Sequence, residues 1–568
     1  MWRKDTLKNV SAALRPTPLT ANLSTMLPSA VRRALLCSLF TAGPLAFSQS
    51  PDSDKKQAAA TPTWEEISAN YQCPQWFKEA KLGIWVHWGP QSLPEWGGGW
   101  YAKHMYTPDV GRETFGKRAY PYHLETYGHP SEVGFKDVIH QWKAEKLDPP
   151  ALVDYFADLG ARYVMVLANH HDHFDLWDSK HHEWNSVDVG PKRNIIGEFE
   201  KAIRAKGLKF GVSSHDDRLL QWWLAAFSAD KEGPKKGVPY DGRLTKEDGK
   251  GLWWEGLTPS NLYGLPPEQR PENYRDVIGE HFKNRHLDLV TRYQPDLIWF
   301  DGYGFPYEEH GQELCRHFLA KDYQDNGRYD CIVAGKFKNE PATVRDIERG
   351  VADGIVTDPW QGTTTFTSWF LKKDKPLKHS ARSLAEVFID IVSKGGNFLL
   401  NVEMKPDGTI PPAHKEVLDG FRDWTKKNGV AIFGTTPWQV HGDNLNSIQR
   451  KIELGEIGAA DLEAAKKAAG GHFTERTKFS PAYGSDEVRF TQKQGQLFVT
   501  VLRPAPGPLA LPRLKSGPNI PDIKKVILLG QSDPLPFEQS AKSLILHVPN
   551  SLQDALPTVF QLTLSTNK

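Results

Sequence analysis

Several residues that could do chemistry follow short apolar runs in this sequence. Asp301 comes directly after Leu297-Ile298-Trp299-Phe300, and His87 closes the run that starts at Leu82. Three more imidazoles come just after two further runs of this kind: His170, His171 and His215. A carboxylate held rigidly at a strand end can attack an electrophilic carbon, and a neutral imidazole can donate to or accept from a hydroxyl group. The pattern favours a site that binds a hydroxyl-rich molecule beside a nucleophilic carboxylate.

Both features have a second interpretation. A strand-end aspartate often caps a following helix, which would give Asp301 a structural role. The run His170-His171-Asp172-His173 resembles a set of zinc ligands. Consecutive strand residues point to opposite faces and converge poorly on one ion, so we expect no metal here.

The runs that carry these residues alternate with helical patterns from about residue 62 to 435. The spacing predicts strands over 82–87, 162–167, 209–213, 297–300 and 398–401. It predicts helices over 149–159, 194–205, 274–293, 308–318, 384–394 and 414–427. Alternating strands and helices imply a parallel sheet, either closed into a barrel or doubly wound.

The positions of the polar residues favour the barrel. Side chains at the C-terminal ends of several strands meet at one face of a β/α barrel. No Gly-rich phosphate loop follows the first strand, which weakens the nucleotide-binding doubly wound alternative. After about residue 440, short β-type runs replace the helical patterns and predict an antiparallel β-sandwich. We therefore predict an α/β fold with three parts: a leader over 1–61, a catalytic (β/α)₈-like barrel over 62–438 and a β-sandwich over 439–568.

The composition and the N-terminus indicate partners and location. A net charge of +1 over 568 residues indicates no nucleic-acid or acidic-membrane partner. Arg32-Arg33 precedes an apolar run over 34–40 that is too short to span a bilayer. We predict a signal peptide cleaved near Ser48 and a secreted or periplasmic mature chain, with Met26 as the true start. Three cysteines remain after cleavage and allow at most one disulfide: Cys73, Cys315 and Cys331.

Four groups of motifs, in this order along the chain, carry a resemblance to a known family. They are Trp76–Pro90 with Trp96–Ala102, His170–Lys180 with Trp184–Asn194, Leu297–Gly302, and Ser393–Val402 with Asp407–Pro411 and Ile432–Trp438. Together they resemble the α-L-fucosidases of glycoside hydrolase family 29, and the C-terminal sandwich is similar to that family's. The resemblance implies exo-cleavage of terminal α-L-fucose from glycans with retention of configuration. It also implies a fucosylated glycan or polysaccharide as substrate and no metal or organic cofactor.

The resemblance also implies roles for single residues. Asp301 takes the place of the nucleophile, and Glu348 best fits the acid/base, which in the family lies on a variable loop some tens of residues later. An ion pair with Arg349 would lower the pKa of Glu348. The other candidates for the acid/base are Glu308, Glu309, Glu313 and Glu340. The predicted substrate-binding residues are His87, Trp88, Trp100, Tyr101, His170, His171, His215 and Trp299.

Three positions depart from the family pattern. Gly99 stands where the family usually has Glu, His215 lies where it has Tyr, and Lys336 aligns loosely with an Arg. Because Gly99 removes both charge and volume, either Glu95 makes the missing bond or the pocket admits a larger substituent, which we favour. Two alternative functions stay open: a catalytically weak, lectin-like fucose binder, and an exo-glycosidase for L-galactose or modified fucose.

Overall fold

The computed structural model describes residues 61–108, 118–445, 483–553 and 555–565, together with 452, 455, 457–468, 473 and 474. The predicted signal peptide and almost all of the leader lie outside these residues. Residues Ala60–Lys568 form one compact unit. None of the helices in the described ranges has the length and hydropathy needed to cross a bilayer.

Eight parallel strands close into a barrel. They are β1 (Leu82–Val86), β2 (Tyr163–Asn169), β3 (Lys209–Ser214), β4 (Leu297–Phe300), β5 (Ile332–Gly335), β6 (Thr343–Glu348), β8 (Trp360–Thr364) and β9 (Asn397–Asn401). Each pairs with the next along the barrel, and β9 pairs with β1 to close it. The short strand β7 (Val351–Ala352) pairs outside the barrel with β11 (Phe473–Thr474). The predicted barrel is confirmed.

Helices lie between the strands and on the outside of the barrel. They are α1 (Trp64–Asn70), α2 (Gln75–Ala80), α3 (Tyr101–His104), α4 (Ala119–Thr126), α5 (Phe135–Gln141), α6 (Pro149–Asp158), α7 (Ile195–Ala205), α8 (Leu219–Trp222), α9 (Pro259–Tyr263), α10 (Tyr274–Tyr293), α11 (Glu309–Asn326), α12 (Ala381–Ser393) and α13 (Pro412–Asn428). A further helix, α14 (Ala459–Ala468), follows the barrel. Local sequence explains where several begin: Asp148 caps α6 by accepting from the Ala151 N–H at 3.1 Å, and proline occupies its first turn.

Strands β5, β6 and β8 escaped prediction. β5 is an apolar run of only four residues, whereas polar residues interrupt β6 and β8. Asp346 lies in the middle of β6 and is only 3 % exposed. Its carboxylate accepts hydrogen bonds from Trp299 Nε1 at 3.1 Å and from Gln361 Nε2 at 2.7 Å. A polar group satisfied inside the barrel breaks the apolar run that identifies a buried strand in a sequence.

Close packing in the barrel interior requires small residues at defined positions. A Cβ added to Gly83 in β1 would lie 2.2 Å from the Tyr163 ring, which fills that space. Trp85 and Trp299 pack edge to face above it, with ring centroids 4.6 Å apart. The interior at these positions is therefore a packed core and not a channel.

The C-terminal region consists of two antiparallel sheets, as predicted. Its strands are β10 (Thr436–Asp443), β12 (Val488–Lys493), β13 (Gln496–Val501), β14 (Gly507–Leu511), β15 (Ile523–Leu528), β16 (Phe537–Gln539), β17 (Leu544–Val548) and β18 (Thr558–Leu564). One sheet has the order β10-β12-β13-β18-β15 and the other β14-β17-β16. Trp438, Phe490 and Phe560 of the first sheet share one apolar core with Leu511 and Leu546 of the second.

A buried ion cluster joins these sheets to the barrel. Asp390 of α12 contacts Lys394 Nζ at 2.8 Å and Arg489 Nε of β12 at 2.5 Å. All three side chains are at most 5 % exposed. Buried charges persist only when they are paired, so this cluster fixes how α12 meets the first sheet.

Candidate active site

The chemistry-bearing residues lie at the end of the barrel where the strands have their C-terminal ends. In strand order they are His87, His170 with His171, His215, Asp301, Lys336 and Glu348. Asp301 and Lys336 come directly after β4 and β5, and Glu348 is the last residue of β6. Barrel closure brings these residues, which are far apart in the sequence, into one group.

Asp301 is a carboxylate, 12 % exposed, surrounded by cations and imidazoles. Its Oδ1 lies 2.7 Å from Lys336 Nζ, and its Oδ2 lies 3.3 Å from His171 Nε2. Arg218 Nη2 is 3.4 Å from the same Oδ2. Burial by itself would raise the pKa of Asp301, but the charge of Lys336 and the hydrogen bond from His171 hold that pKa well below its ordinary value. Asp301 is therefore ionised at neutral pH, as a carboxylate nucleophile must be.

Glu348 shares a cation with Asp301. Lys336 Nζ lies 2.6 Å from Glu348 Oε2 and 2.7 Å from Asp301 Oδ1. Two oxygens that both contact one nitrogen at such distances are no farther apart than the ~5.5 Å that separates the carboxyl groups of a retaining glycosidase. Trp369 Nε1 donates to the other oxygen of Glu348 at 3.1 Å. The two carboxylates therefore lie close enough to act on the two atoms of one substrate bond.

The expected position of Glu348 on a loop was wrong. It ends strand β6 and does not lie on a loop, because β6 had escaped prediction. Its close cation is Lys336, whereas Arg349 Nε lies 4.0 Å away and the guanidinium packs over the Trp369 ring. Both carboxylates raise the pKa of Lys336 above its ordinary value, although burial works to lower it. A predicted β5 would have revealed Lys336 as a strand-end residue.

Three imidazoles form one wall of the site. The ring centroids of His87, His170 and His215 lie 4.8 to 5.2 Å apart. Burial lowers the pKa of His87 and His170 well below the ordinary value, and that of His215 to about 4, so the rings are neutral at neutral pH. Both nitrogens of His87 and Nε2 of His215 are buried without a hydrogen-bond partner. Buried polar atoms are normally paired, so these nitrogens mark the position of a polar ligand.

Gln91 fixes the tautomer of His170. Its Nε2 amide group lies 2.8 Å from His170 Nδ1 and donates to Asp172 Oδ2 at 3.0 Å. Because the amide can only donate, His170 Nδ1 accepts and Nε2 carries the proton. Burial raises the pKa of Asp172 to about 7. Gln91 lies in the first motif group, but nothing in its local sequence distinguishes it from a surface glutamine.

In the run His170-His171-Asp172-His173, the assumption that consecutive side chains point to opposite faces is wrong for the first two residues. His170 and His171 do converge, with ring centroids 4.5 Å apart, because both lie beyond the end of β2, where strand alternation no longer applies. His173 points away and lies 2.7 Å from Asp216. Among the described residues, two other sets bring potential ligand atoms within 4.8 Å of one another: His87, His170 and His215, and His171, His215 and Asp301.

Aromatic side chains form the rest of the enclosure. Trp100 packs on Trp222, with ring centroids 5.1 Å apart, and Trp222 packs on His171 at 4.8 Å. On the other side Trp299 lies against His215 at 4.9 Å. Trp100 and Trp299 were predicted from the sequence, whereas Trp222, Trp369 and Phe370 were not, since none of these three follows a predicted strand.

Trp88 and Tyr101 do not join this group, so their predicted contact with substrate is corrected. Trp88 is 1 % exposed, packs on Trp142 at 4.8 Å and donates through Nε1 to the Lys405 carbonyl at 2.9 Å. Tyr101 is fully buried, and its hydroxyl lies 2.7 Å from His123 Nδ1. Each is adjacent to a site residue in the sequence but points into the core between the barrel and its helices.

Gly99 does not leave an open space. A Cβ at this position would lie 3.3 Å from His170 Nε2 and 3.3 Å from Phe370 Cδ2. The Phe370 ring itself packs against His87 at 4.8 Å and His170 at 5.2 Å. Glu95, the alternative source of a carboxylate, has its Oε2 3.9 Å from Lys373. The expected open space beside Gly99 was wrong, because the Phe370 ring lies against this position.

Comparisons with known proteins show similarity to one enzyme family. The sequence model of the Alpha-L-fucosidase family matches residues 47–430. Tissue alpha-L-fucosidase of Rattus norvegicus is 27% identical over 454 residues, which cover 76% of this chain and 86% of the relative. Tissue alpha-L-fucosidase of Homo sapiens is 27% identical over 391 residues, which cover 67% of this chain and 73% of the relative. Among solved structures, Thermotoga maritima alpha-fucosidase in complex with fucose is 26% identical in sequence to this chain, with a TM-score of 0.61. The match covers 88% of this chain and 99% of that chain.

Proposed function

This chain belongs to the α-L-fucosidase family and is a glycoside hydrolase of that activity, and from this premise we propose that it releases terminal α-L-fucose from glycans by double displacement with retention. The observation that supports the mechanism is the shared contact of Lys336 with Asp301 and Glu348. It gives the pair the spacing that a covalent intermediate requires.

In the first step, a carboxylate oxygen of Asp301 attacks the anomeric carbon. Glu348 donates its proton to the glycosidic oxygen while the bond from that oxygen to the anomeric carbon breaks. The products are a fucosyl ester of Asp301 and the free aglycone alcohol. The low pKa of Asp301 keeps it ionised and ready to attack.

In the second step, water attacks the same carbon and displaces Asp301. Glu348, now ionised, removes the proton from that water. Asp301 carries no charge in the ester, and Lys336 Nζ, 2.6 Å from Glu348 Oε2, remains beside the residue that takes the proton. One lysine thus contacts the nucleophile of the first step and the base of the second.

The imidazole wall binds the sugar hydroxyl groups. His87 and His215 carry buried nitrogens without partners, and His170 presents a proton on Nε2. A neutral imidazole can donate to one sugar hydroxyl and accept from another. The three imidazoles can therefore hold the sugar without placing a competing charge beside Asp301.

The test is Asp301→Gly assayed on an activated aryl α-L-fucoside. Loss of the covalent step should lower kcat by at least about a thousandfold, and azide should restore turnover with formation of the β-fucosyl azide. The matched control is Asp217→Gly, a second carboxylate of the same mouth, 3.6 Å from His171. Azide should not rescue this control. Full activity of Asp301→Gly, or equal azide rescue of both variants, would reject Asp301 as nucleophile.

We also propose that the chain is exported after cleavage near Ser48. The apolar run over 34–40 behind Arg32-Arg33 supports this proposal. N-terminal sequencing of protein recovered outside the cytoplasm checks it. Recovered protein that still begins at Met1 would contradict it.

A further inference from the structure

Lys103 places a positive charge beside two tryptophan rings of the active-site enclosure. It belongs to α3, and its Nζ lies 5.5 Å from the centroid of the Trp100 ring and 5.8 Å from that of Trp222. Trp222 in turn packs directly on His171, with ring centroids 4.8 Å apart. The ammonium group is therefore separated by one ring from the histidine that contacts Asp301.

No carboxylate offsets this charge. Within the part of the chain that the structure describes, no Asp or Glu oxygen lies within 4 Å of Lys103 Nζ, and the side chain is partly buried. Burial, followed by the nearby charge of Arg218, lowers the pKa of Lys103. Arg218 itself lies at the mouth, where it already faces two carboxylates, Asp301 at 3.4 Å and Asp217 at 3.6 Å. Two cations held near each other at a partly enclosed site repel, and an anion between them relieves that repulsion.

We propose that the site beside Lys103, Arg218 and Trp222 binds an anionic group carried by the substrate, so that the enzyme prefers charged fucosides. The inference rests on the proposed function. Lys103 and Arg218 supply the charged donors, and the Trp222 face supplies an apolar surface next to His171. The group is a sulfate ester on the fucose itself or a carboxylate on the next sugar, because both present oxygen acceptors to these donors.

The first experiment measures binding without catalysis. L-Fucose and its 2-, 3- and 4-O-sulfates are titrated calorimetrically into the wild type, into Lys103→Met and into Lys143→Met. Exposed Lys143, whose ammonium bonds to the His140 carbonyl, is the matched charge control. At least one sulfate should bind the wild type about 10- to 100-fold more tightly than L-fucose, the range that a charged hydrogen bond supports. Lys103→Met should abolish that preference, and Lys143→Met should keep it.

The second experiment separates the two sources of negative charge. Hydrolysis is compared for a neutral aryl fucoside, the sulfated aryl fucosides, and an α-L-fucosyl disaccharide whose reducing sugar is a uronic acid. If the charge lies on the fucose, Lys103→Met lowers kcat/KM on one sulfated fucoside only; if it lies on the next sugar, only the disaccharide is affected. In either case added salt should raise KM for the charged substrate more than for the neutral one.

The two proposals fail in different ways. Equal binding of L-fucose and all charged ligands, or equal losses on neutral and charged substrates in Lys103→Met, would overturn the anion site while leaving the fucosidase mechanism in place. Failure of the wild type to hydrolyse the neutral and the charged fucosides alike would overturn the proposed function, whatever the binding experiment gives.

Discussion

At the scale of single residues, Lys336 determines how the two carboxylates are assigned. It contacts Asp301 and Glu348 within 2.7 Å, and among the glutamates predicted as acid/base only Glu348 has this contact in the described residues. Glu340, the next candidate, accepts a hydrogen bond from Trp64 Nε1 at 2.7 Å and has a structural partner instead. The distinction leads to a direct comparison of the two glutamates.

Glu348→Ala should slow substrates with poor leaving groups far more than activated aryl fucosides. Only the poor leaving groups need a proton, and general acid catalysis contributes about 10²- to 10⁴-fold. The measurement is kcat/KM for a fucosyl disaccharide and a 4-nitrophenyl fucoside, with Glu340→Ala as control. If the glutamates behave alike, or if Glu348→Ala slows both substrates equally, the acid/base lies elsewhere.

Gly99→Glu should impair the enzyme even on simple fucosides. A Cβ at this position would already contact His170 and Phe370 at 3.3 Å, so a longer side chain must displace one of them. Displacement of a sugar-binding imidazole should lower kcat/KM about 10-fold or more, the loss expected for about 1.4 kcal/mol.

The double variant Gly99→Glu/Phe370→Ala provides the matched test. If the Phe370 ring is what excludes a side chain at position 99, removing it should restore part of the activity that Gly99→Glu loses. An increase in activity for Gly99→Glu alone would show instead that the space is open.

At the scale of elements, one loop after β8 brings several aromatic side chains to the site. Glu403, after β9, is fully buried and accepts hydrogen bonds from the Thr367 N–H at 2.6 Å and the Ser368 N–H at 3.0 Å. The next two residues are Trp369, which donates to Glu348, and Phe370, which packs on His87. The carboxylate of Glu403 therefore holds the turn that positions both rings.

Glu403→Ala should lower kcat without removing a group that touches substrate. It leaves two buried N–H groups unpaired, each costing about 1–3 kcal/mol, and loosens the turn that carries Trp369. Turnover and thermal unfolding are measured together, with exposed Glu416→Ala on α13 as control. Glu403→Gln, which keeps an acceptor, should recover part of kcat. A variant that loses stability but keeps full kcat would contradict this positioning role.

The pH dependence of stability gives a second test of Glu403. Burial raises its pKa from 4.5 to about 7. A carboxyl group with a raised pKa in the folded state favours folding at low pH, and this contribution is lost as the pH rises through 7. Denaturant unfolding should therefore show Glu403→Gln gaining stability relative to the wild type as the pH rises from about 4.5 to about 7, the two pKa values of this carboxyl group. A constant difference over that range would argue against the raised pKa.

At the scale of the whole molecule, the buried ion cluster around Asp390 joins the barrel to the antiparallel sheets. Arg489→Ala removes one of two cations from a carboxylate that is fully buried. Breaking a buried pair costs about 3–5 kcal/mol, so the unfolding free energy measured by denaturant titration should fall by about that much. The control is Arg503→Ala, whose partner Glu386 lies at the same interface. Because Arg503 is 46% exposed, its loss should cost at most about 1 kcal/mol. Equal effects would show that the cluster does not hold the interface.

The sequence by itself determined the class of fold and placed Asp301 and most of the imidazole wall at strand ends. Strands β1 to β4 and β9 each contain a short buried apolar run, and Asp301 and His87 directly follow two of these strands. Such runs are visible locally, because a strand that is buried on both faces needs apolar residues along its whole length. A residue directly after such a run lies at the C-terminal end of a barrel strand, whichever strands are its neighbours.

Only the tertiary structure decided which side chains meet. Lys336 follows β5, an apolar run of only four residues. Glu348 ends β6, whose Asp346 finds partners across the barrel and thereby hides the strand pattern. Beyond a strand end, side-chain direction is set by packing and no longer by alternation. For that reason His170 and His171 converge, whereas Trp88 and Tyr101 turn into the core. The space beside Gly99 is filled by Phe370, a residue 271 positions away, so the volume left by a missing side chain depends on contacts between distant segments.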